Sequence, residues 1–304
     1  MINTTIIGLG KIGYLYDEGK TFKKISHFSA VKNNKNFKIV SVVEKNKKII
    51  NLFKKKNSVP VYNKIMKAFY NHSTEFLIIA CELNFKIIEK IIKNTNLKYI
   101  LLEKPFKISI KNLSILQKLS KKKKIFFSIN FQRNFSSNYL NLFEKIKKGL
   151  IGSNLKCYCY FNKNFESNAS HLLNLILLLN KNYISSKKIN KDCINIKFNN
   201  LDSYFFKVSE RYNNNSITIF GSKGKIEISS RPEFANLYLS KKDKEYKKTN
   251  ILKLHKTSQL YERFPQDNVL KDVVRTIYYK KKPLLKINHM TKYLKIMDKV
   301  KKYL

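Results

Sequence analysis

Long hydrophobic runs and clustered cysteines are scarce in this sequence, and each scarcity excludes a class of protein. Apolar stretches such as residues 175–179 are far too short to cross a bilayer. The four cysteines, Cys81, Cys157, Cys159 and Cys193, form no CxxC pair and no His-flanked cluster of the spacing that zinc sites use. The N-terminus lacks the pattern of a signal peptide. We therefore expect a soluble, cytoplasmic protein with inert thiols, no metal site and no membrane partner.

Acidic residues and arginine are scarce as well. The 62 Lys and Arg residues face 20 Asp and Glu residues, which gives a formal net charge of +42. Such an excess attracts phosphates, so nucleic-acid binding is one interpretation. However, only five of these residues are arginines, the side chain that base readout and bidentate phosphate contacts favour. We favour a drift of composition toward Lys and Asn, as in an AT-rich genome, and predict no specific nucleic-acid partner.

The most informative stretch lies near the N-terminus, where an apolar, β-branched run leads into Gly8-Leu9-Gly10-Lys11-Ile12-Gly13. This Gly-x-Gly-x-x-Gly pattern is typical of a strand, a tight turn and a helix that together bind a dinucleotide. Gly8 permits the turn, Gly10 lets the backbone approach the pyrophosphate, and Gly13 lets helix and strand pack closely. Free amides and the helix dipole attract the anion, so Lys11 and Ile12 are predicted cofactor contacts.

Glu44 follows the next predicted strand, residues 37–43. An acid at this strand end hydrogen-bonds the adenosine ribose in dinucleotide folds. It stands farther from the glycines than the usual spacing of about 20 residues, and a polar insertion at residues 16–20 accounts for the excess. Glu44 favours NAD over NADP, while Lys45 and Lys47 keep NADP possible. A surface glutamate in a lysine-rich turn is the alternative.

Strand and helix patterns then alternate. Predicted strands at 59–62, 76–80, 99–102 and 125–130 are separated by helix patterns at 65–70, 85–92 and 110–119. This alternation indicates a doubly wound parallel sheet of the α/β class. Ala80, which ends one predicted strand, is a predicted cofactor contact. We expect a Rossmann dinucleotide-binding domain over residues 1–127 and a substrate and oligomerisation domain over 128–304.

The stretch Leu101-Leu102-Glu103-Lys104-Pro105-Phe106, together with the glycine pattern, resembles the glucose–fructose oxidoreductase / inositol dehydrogenase (Gfo/Idh/MocA) family. The resemblance implies an N-terminal Rossmann domain and a C-terminal α/β domain with a large open, mostly antiparallel sheet. It implies oxidation or reduction of sugars, nucleotide-linked sugars or cyclitols with NAD or NADP. Lys104 then lies at the substrate, Glu103 at the cofactor, and Pro105 follows a cis peptide bond.

The resemblance continues into the second half of the chain. Residues 168–176 are similar to the family's helix with a catalytic histidine, which matches His171. Asn174 and Ser167 stand where family members carry aspartates, and Asn168 and Asn174 are predicted substrate contacts. Arg133 binds an anionic substrate group or pairs with an acid across the domain boundary. Residues 290–300 resemble the closing helix, which we expect to pack back toward the first domain.

The resemblance therefore predicts an oxidoreductase in which the nicotinamide lies between the domains, with Lys104 and His171 flanking the reacting carbinol. An imidazole can take the hydroxyl proton, and a lysine can stabilise the developing alkoxide. His27 resembles a position in some sugar-modifying members or is structural. Cys81-Glu82 replaces the family's Thr-Pro pair. The alternatives are an inactive dinucleotide-binding sensor or scaffold, and a nucleic-acid binder. A homo-oligomer, a dimer or tetramer formed through the C-terminal sheet, is also expected.

Overall fold

A computed structural model describes residues 1–19, 24–106, 108–179, 181–209, 211, 215–230, 232–246, 248–285 and 287–304. Lys20, the last residue of the predicted insertion, lies outside these ranges. The chain divides into two compact units, Met1–Phe135 with Phe264–Thr291, and Ser136–Arg263 with Lys292–Leu304. The predicted boundary between residues 127 and 128 falls inside a strand of the first unit, whereas the observed division follows Phe135.

Two sheets organise the described part of the chain. One has the strand order β3-β2-β1-β4-β5-β6, and the other β14-β13-β12-β11-β7-β10-β9-β8. The strands are β1 Ile2–Ile7, β2 Phe37–Val43, β3 Val61–Tyr62, β4 Phe76–Ile79, β5 Tyr99–Leu102, β6 Phe126–Ile129, β7 Leu155–Phe161, β8 Tyr183–Asn190, β9 Cys193–Phe198, β10 Leu201–Lys207, β11 Ser216–Gly221, β12 Gly224–Ser230, β13 Glu233–Lys242 and β14 Asn250–Gln259.

Most helices begin at a serine or asparagine whose side-chain oxygen accepts a backbone N–H of the first turn, which satisfies an otherwise unpaired donor. Ser26, Asn46, Asn84, Ser109 and Ser136 serve in this way. The helices are α1 His27–Lys32, α2 Lys47–Lys54, α3 Ile65–Asn71, α4 Phe85–Lys93, α5 Ile110–Lys123, α6 Ser137–Lys147, α7 Ser170–Leu177, α8 Pro265–Tyr278 and α9 Ile287–Lys301.

The first sheet is parallel throughout, as a doubly wound fold requires. Its central strands β4 and β5 are buried along their whole length, which explains their continuous apolar sequence. The strand order changes direction between β1 and β4, so the carboxyl ends of these two strands border the crevice where such folds bind ligands.

The second sheet is antiparallel except where β7 pairs with β10. Alternate residues of β7 are buried, among them Cys157 and Cys159, whose Sγ atoms lie 3.7 Å apart on one face. The intervening side chains of β7 point to the opposite face of the sheet.

The predicted fold class is confirmed: a parallel Rossmann-like sheet is followed by a large, mostly antiparallel sheet. One element differs from expectation. The glycine stretch leads into a single π turn, Lys11–Leu15, and the first α-helix begins only at His27. Within the described ranges, no helix is long and apolar enough to span a membrane.

Candidate active site

The glycine loop connects β1 to the π turn, and its three glycines meet different surroundings. Gly8 has a φ of +94°, and a Cβ there would lie 2.8 Å from the Cβ of Cys81. A Cβ on Gly13 would lie 2.0 Å from the carbonyl oxygen of Gly8. A Cβ on Gly10 would meet nothing within 4 Å. Gly8 and Gly13 therefore close the loop on itself, whereas Gly10 leaves space into which a ligand can approach the backbone.

The π turn that follows is shorter than the helix the sequence predicts. Tyr14 and Leu15 both donate their backbone N–H to the carbonyl oxygen of Gly10, at 2.9 and 3.1 Å. Lys11 is exposed and Ile12 is half-buried at the start of this turn. Five residues align few peptide dipoles, so the open approach at Gly10 is the feature of this loop that best fits a phosphate.

Glu44 lies directly beside the glycine loop. Its Oε2 accepts the backbone N–H of Leu9 at 2.7 Å, and its Oε1 accepts the N–H groups of Lys45 and Asn46 at 2.7 and 2.9 Å. A carboxylate offers about four acceptor positions, so this half-buried group keeps capacity for a further donor such as a ribose hydroxyl.

The long separation in sequence does not separate Glu44 from the glycine loop, because Glu44 directly follows β2, which pairs with β1. Asp17 accepts the backbone N–H groups of Ile25 and Ser26 with one oxygen, at 2.9 and 2.6 Å. Asp17 is thereby joined to the two residues directly before α1. The polar insertion is thus compatible with an acid that reaches the glycine loop.

Ala80 and Cys81 follow β4 on the other side of the loop. Ala80 donates its N–H to the carbonyl oxygen of Ile7 at 2.8 Å, and its Cβ lies near the position of Gly13. Cys81 forms no disulfide, and part of its surface is exposed. Its partial burial, reinforced by the charge of Glu44, raises its pKa to about 11, so the thiol is protonated at neutral pH.

Glu103 and Lys104 directly follow β5 at the same edge of the sheet. The Oε1 of Glu103 accepts from His27 Nε2 at 2.7 Å and from Asn130 Nδ2 at 2.5 Å. Its Oε2 accepts the backbone N–H of Lys104 at 3.2 Å. The Lys104–Pro105 peptide bond is cis, as the resemblance implies. The carboxylate of Glu103 is thereby fixed beside the lysine by three donors.

The Lys104 side chain is half-buried. This burial lowers its pKa below the ordinary lysine value of 10.5, and the positive charge of Arg133 lowers it further, while the charge of Glu103 opposes both. Arg133 lies in the short turn after β6, Gln132–Phe135. Arg133 and Lys104, both predicted site residues, are therefore close enough for the arginine to shift the pKa of the lysine. A lysine with a lowered pKa exchanges its proton more readily than an exposed one.

Asn130, which directly follows β6, is a site residue that our sequence analysis did not single out. It is buried, and its Nδ2 donates to Glu103 and, at 3.3 Å, to the Oε1 of Gln266. Its Oδ1 has no hydrogen-bond partner among the residues that the structure describes. An acceptor left open at a strand's carboxyl end fits a polar cofactor or substrate group. Its position at the end of a predicted strand was a signal for this role, whereas nothing in the sequence marked Gln266.

The second unit carries the remaining predicted site residues. His171 is half-exposed at the start of α7, whereas its neighbours Leu172 and Leu173 are buried. Asn168 lies in the preceding π turn, and its Nδ2 donates to Asn162 Oδ1 at 2.5 Å. Asn174 is fully buried and donates to the carbonyl oxygen of Ser170 at 3.0 Å. That burial is at odds with direct contact between Asn174 and a substrate.

Residues 2–131 match the family model GFO_IDH_MocA, described as the oxidoreductase family with an NAD-binding Rossmann fold. This part of the chain belongs to that family. The resemblance inferred from the glycine loop and the Glu-Lys-Pro stretch is thus confirmed over the Rossmann unit. Residues 2–131 therefore form the Rossmann unit of an oxidoreductase family that is described as NAD-binding.

Solved structures extend the similarity to the fold of the whole chain. The super-repressor mutant of Gal80p from Saccharomyces cerevisiae has a TM-score of 0.74 at 12% identity, covering 99% of this chain and 95% of that one. UDP-N-acetylglucosamine 3-dehydrogenase from Acidithiobacillus ferrooxidans has a TM-score of 0.73 at 12% identity, covering 100% and 97%.

A third similar structure is an oxidoreductase from Agrobacterium radiobacter in complex with NAD+, L-tartaric acid and magnesium. It has a TM-score of 0.72 at 14% identity and covers 98% of this chain and 94% of its own. No curated protein sequence matches this chain. At such low identities the likeness to these structures concerns the fold alone.

Proposed function

We propose that this protein is an NAD(P)-dependent oxidoreductase that acts on a carbinol or carbonyl of a sugar, a nucleotide-linked sugar or a cyclitol. The observation that carries the proposal is Lys104, a half-buried lysine with a lowered pKa at the same sheet edge as the glycine loop. When bound, the cofactor supplies hydride-transfer chemistry. The residues of this chain bind it, orient it and handle the proton.

The open space at Gly10 and the spare acceptor capacity of Glu44 support dinucleotide binding at the carboxyl edge of the first sheet. In this proposal Gly10 admits the pyrophosphate and Glu44 accepts from the adenosine ribose. A carboxylate there repels a phosphorylated ribose, so NAD is the preferred cofactor. Asn130 and Glu103 offer acceptors for the nicotinamide end.

Proton handling is assigned first to Lys104. As an ammonium it stabilises an alkoxide or polarises a carbonyl, and its lowered pKa helps it to exchange a proton with the substrate oxygen. His171 is proposed as a further proton-handling residue, and Asn168 as a substrate contact. Arg133 is proposed to bind an anionic substrate group. Asn174 is proposed to stabilise the first turn of α7, because its side chain donates to the carbonyl oxygen of Ser170.

A sensor or scaffold without redox chemistry is the second candidate. Ser167 and Asn174 stand where the family's aspartates are expected, and one similar fold is that of a super-repressor mutant of Gal80p. The two candidates differ in one measurement. An enzyme forms NADH with some member of a sugar and polyol panel, whereas a sensor binds NAD without turnover.

The decisive variant is Lys104→Ala. We expect turnover to fall by about 10²–10⁴-fold, the usual contribution of a proton-transfer group, with NAD affinity nearly unchanged. NADH absorbance reports turnover, and calorimetry reports binding. Lys111→Ala, an exposed lysine at the start of α5, is the matched control. Equal turnover in wild type and Lys104→Ala would remove Lys104 from the mechanism, and NAD binding without any turnover would favour the sensor.

A further inference from the structure

A buried histidine contacts the carboxylate that neighbours Lys104. His27 Nε2 lies 2.7 Å from Glu103 Oε1, and their side chains are only 3% and 10% exposed. We propose that His27 is a positioning residue that holds the Glu103 carboxylate in place beside Lys104 and so sets the charge that the lysine ammonium faces. The inference rests on the role proposed above for Lys104, but not on the identity of the substrate.

The donors around Glu103 are distributed unevenly. Oε1 accepts from both His27 and Asn130, whereas Oε2 accepts the backbone amide of Lys104 itself. A carboxylate in so buried a place keeps its position only when protein donors replace its lost water. His27 supplies the donor that comes from outside the β5–β6 edge, so its loss removes a contribution that the neighbouring strands do not provide.

The structure also fixes His27. It is the first residue of α1, and Ser26 caps that helix. Asp17 binds the amides of Ile25 and Ser26, and Gln266 Nε2 approaches the carbonyl oxygen of Ile25 at 3.5 Å. The backbone before the histidine is therefore tied down on two sides, and the imidazole meets Glu103 in a defined place.

The sign of the effect follows from the charges around Lys104. Among the described residues, Glu103 and Arg133 are the charged groups that shift the Lys104 pKa, in opposite directions, and Glu103 in turn faces His27 and the amide of Asn130. Without the His27 donor the Glu103 carboxylate is released on one side and can turn away from Lys104, so the negative charge beside the lysine weakens. Burial and Arg133 then dominate, so the pKa of Lys104 falls further.

The test measures the proton affinity of Lys104 directly, by competitive acylation at several pH values followed by peptide mass spectrometry. Only the neutral amine reacts, so a lower pKa appears as faster labelling relative to Lys111. We expect His27→Leu and His27→Asn, neither of which brings a donor to Oε1, to label several-fold faster at a pH below the lysine's pKa. One pKa unit corresponds to about tenfold. His27→Gln, which retains a donor, should label nearly as wild type does.

His72→Gln is the matched control, because His72 is paired with Tyr62 at 2.9 Å and has no contact with Glu103 among the described residues. Glu103→Gln should speed labelling of Lys104, and adding His27→Leu to it should have no further effect. Unchanged labelling in a folded His27→Leu or His27→Asn variant would overturn the proposal, as would a full His27→Leu effect in the Glu103→Gln background. Labelling needs neither substrate nor cofactor, so this outcome is independent of whether turnover is found.

Discussion

Gly10 is the residue at which ligand binding and folding can be separated. A Cβ there meets nothing within 4 Å, and its φ of −61° is one that alanine adopts. We expect Gly10→Ala to leave the unfolding temperature unchanged and to weaken NAD binding by about tenfold or more, which corresponds to ~1.4 kcal/mol. Thermal unfolding and calorimetric titration measure the two quantities.

Gly13→Ala is the contrasting variant. Its Cβ would lie 2.0 Å from the carbonyl oxygen of Gly8, so the loop must shift and stability falls together with binding. A Gly10→Ala protein that binds NAD as tightly as the wild type would show that no phosphate approaches the backbone at Gly10.

Glu44 both braces the glycine loop and faces the proposed ribose position, and a comparison of two cofactors separates these roles. Loss of its bond to the N–H of Leu9 weakens NAD and NADP alike, because the loop loses support. Loss of the ribose contact weakens NAD only, since the carboxylate repels the phosphate of NADP. We therefore expect Glu44→Ala to lower the ratio of NAD to NADP affinity severalfold. Glu89→Ala, in α4, is the control, and an unchanged ratio would contradict the ribose role.

The residue types at this site could be predicted from sequence, but their contacts could not. Strand-end position identified Glu44, because the carboxyl ends of parallel strands lie at one edge, and the resemblance of residues 101–106 to the family's motif identified Lys104. The contact between His27 and Glu103 joins residues 76 positions apart and depends on where the first residue of α1 lies relative to the end of β5. The open acceptor of Asn130 depends on which neighbours surround a buried amide.

At the scale of elements, α8 is held against the first sheet by a buried polar network. Asp272 accepts from Arg275 at 2.6 Å, from Tyr99 at 3.3 Å and from the backbone of Leu284 at 3.2 and 3.3 Å. Burial raises the pKa of Asp272, opposed by the bond to Arg275 and by the donors from Leu284 and Tyr99. This network and the packing of Val269, Leu270 and Val273 in the core explain why a helix so late in the chain belongs to the first unit.

We expect Arg275→Met to destabilise the protein by about 2 kcal/mol at neutral pH, below the ~3–5 kcal/mol of a fully buried pair because the arginine is partly exposed. Without the cation, the folded-state pKa of Asp272 rises further. Ionised Asp272 without its cation destabilises the folded state, whereas protonated Asp272 does not. The loss of stability relative to wild type therefore shrinks as the pH falls through the raised folded-state pKa. Lys98→Met, which removes an exposed partner of Glu75, should cost less than about 1 kcal/mol. A loss independent of pH, measured by urea unfolding, would contradict this account.

Elements with strong local signals were predicted well, and those set by distant contacts were not. The run at Tyr99–Leu102 and the helix from Ile65 agree with the structure because apolar pattern and strand length coincide. The turn Lys11–Leu15 was expected to be a longer helix, since nothing in its sequence shows that the helical segment ends at Leu15. Membership of Pro265–Tyr278 in the first unit rests on its buried apolar side chains in that unit's core and on the contact between Asp272 and Tyr99, which are far apart in the chain.

At the scale of the whole molecule, one sheet face departs from the basic character of the chain. Tyr204, Tyr158 and Thr218 lie side by side on β10, β7 and β11, and Phe206, Tyr160 and Ser216 form the next row. Tyr158 stacks on Tyr204 with ring centroids 5.6 Å apart, and Tyr160 on Phe206 at 5.5 Å. These six residues, the aromatic face, carry no charge on a protein of net charge +42.

Self-association is the use of the aromatic face that charge favours. Two copies of so basic a protein repel each other wherever lysines meet, and they can approach most closely where charge is absent. The aromatic face also offers the large rings that form interface cores. The adjoining row carries Asp202 between Lys156 and Lys197, so a two-fold axis can set the aspartate of one copy against a lysine of the other.

We therefore expect the protein to form a dimer in solution, and Tyr160→Lys with Phe206→Lys to convert it to a monomer, because burying these lysines adds unpaired charge at the interface. Light scattering coupled to size exclusion measures the mass. Tyr70→Lys with Tyr279→Lys, at two exposed tyrosines outside this sheet, is the matched control and should remain dimeric. NAD binding should persist in both variants.

A wild-type monomer, or a double variant of unchanged mass, would contradict pairing through this face. A different outcome would be a monomer that binds single-stranded nucleic acid with an affinity that falls steeply with salt. If the Tyr160→Ala variant lost that binding, the rings would be assigned to base stacking.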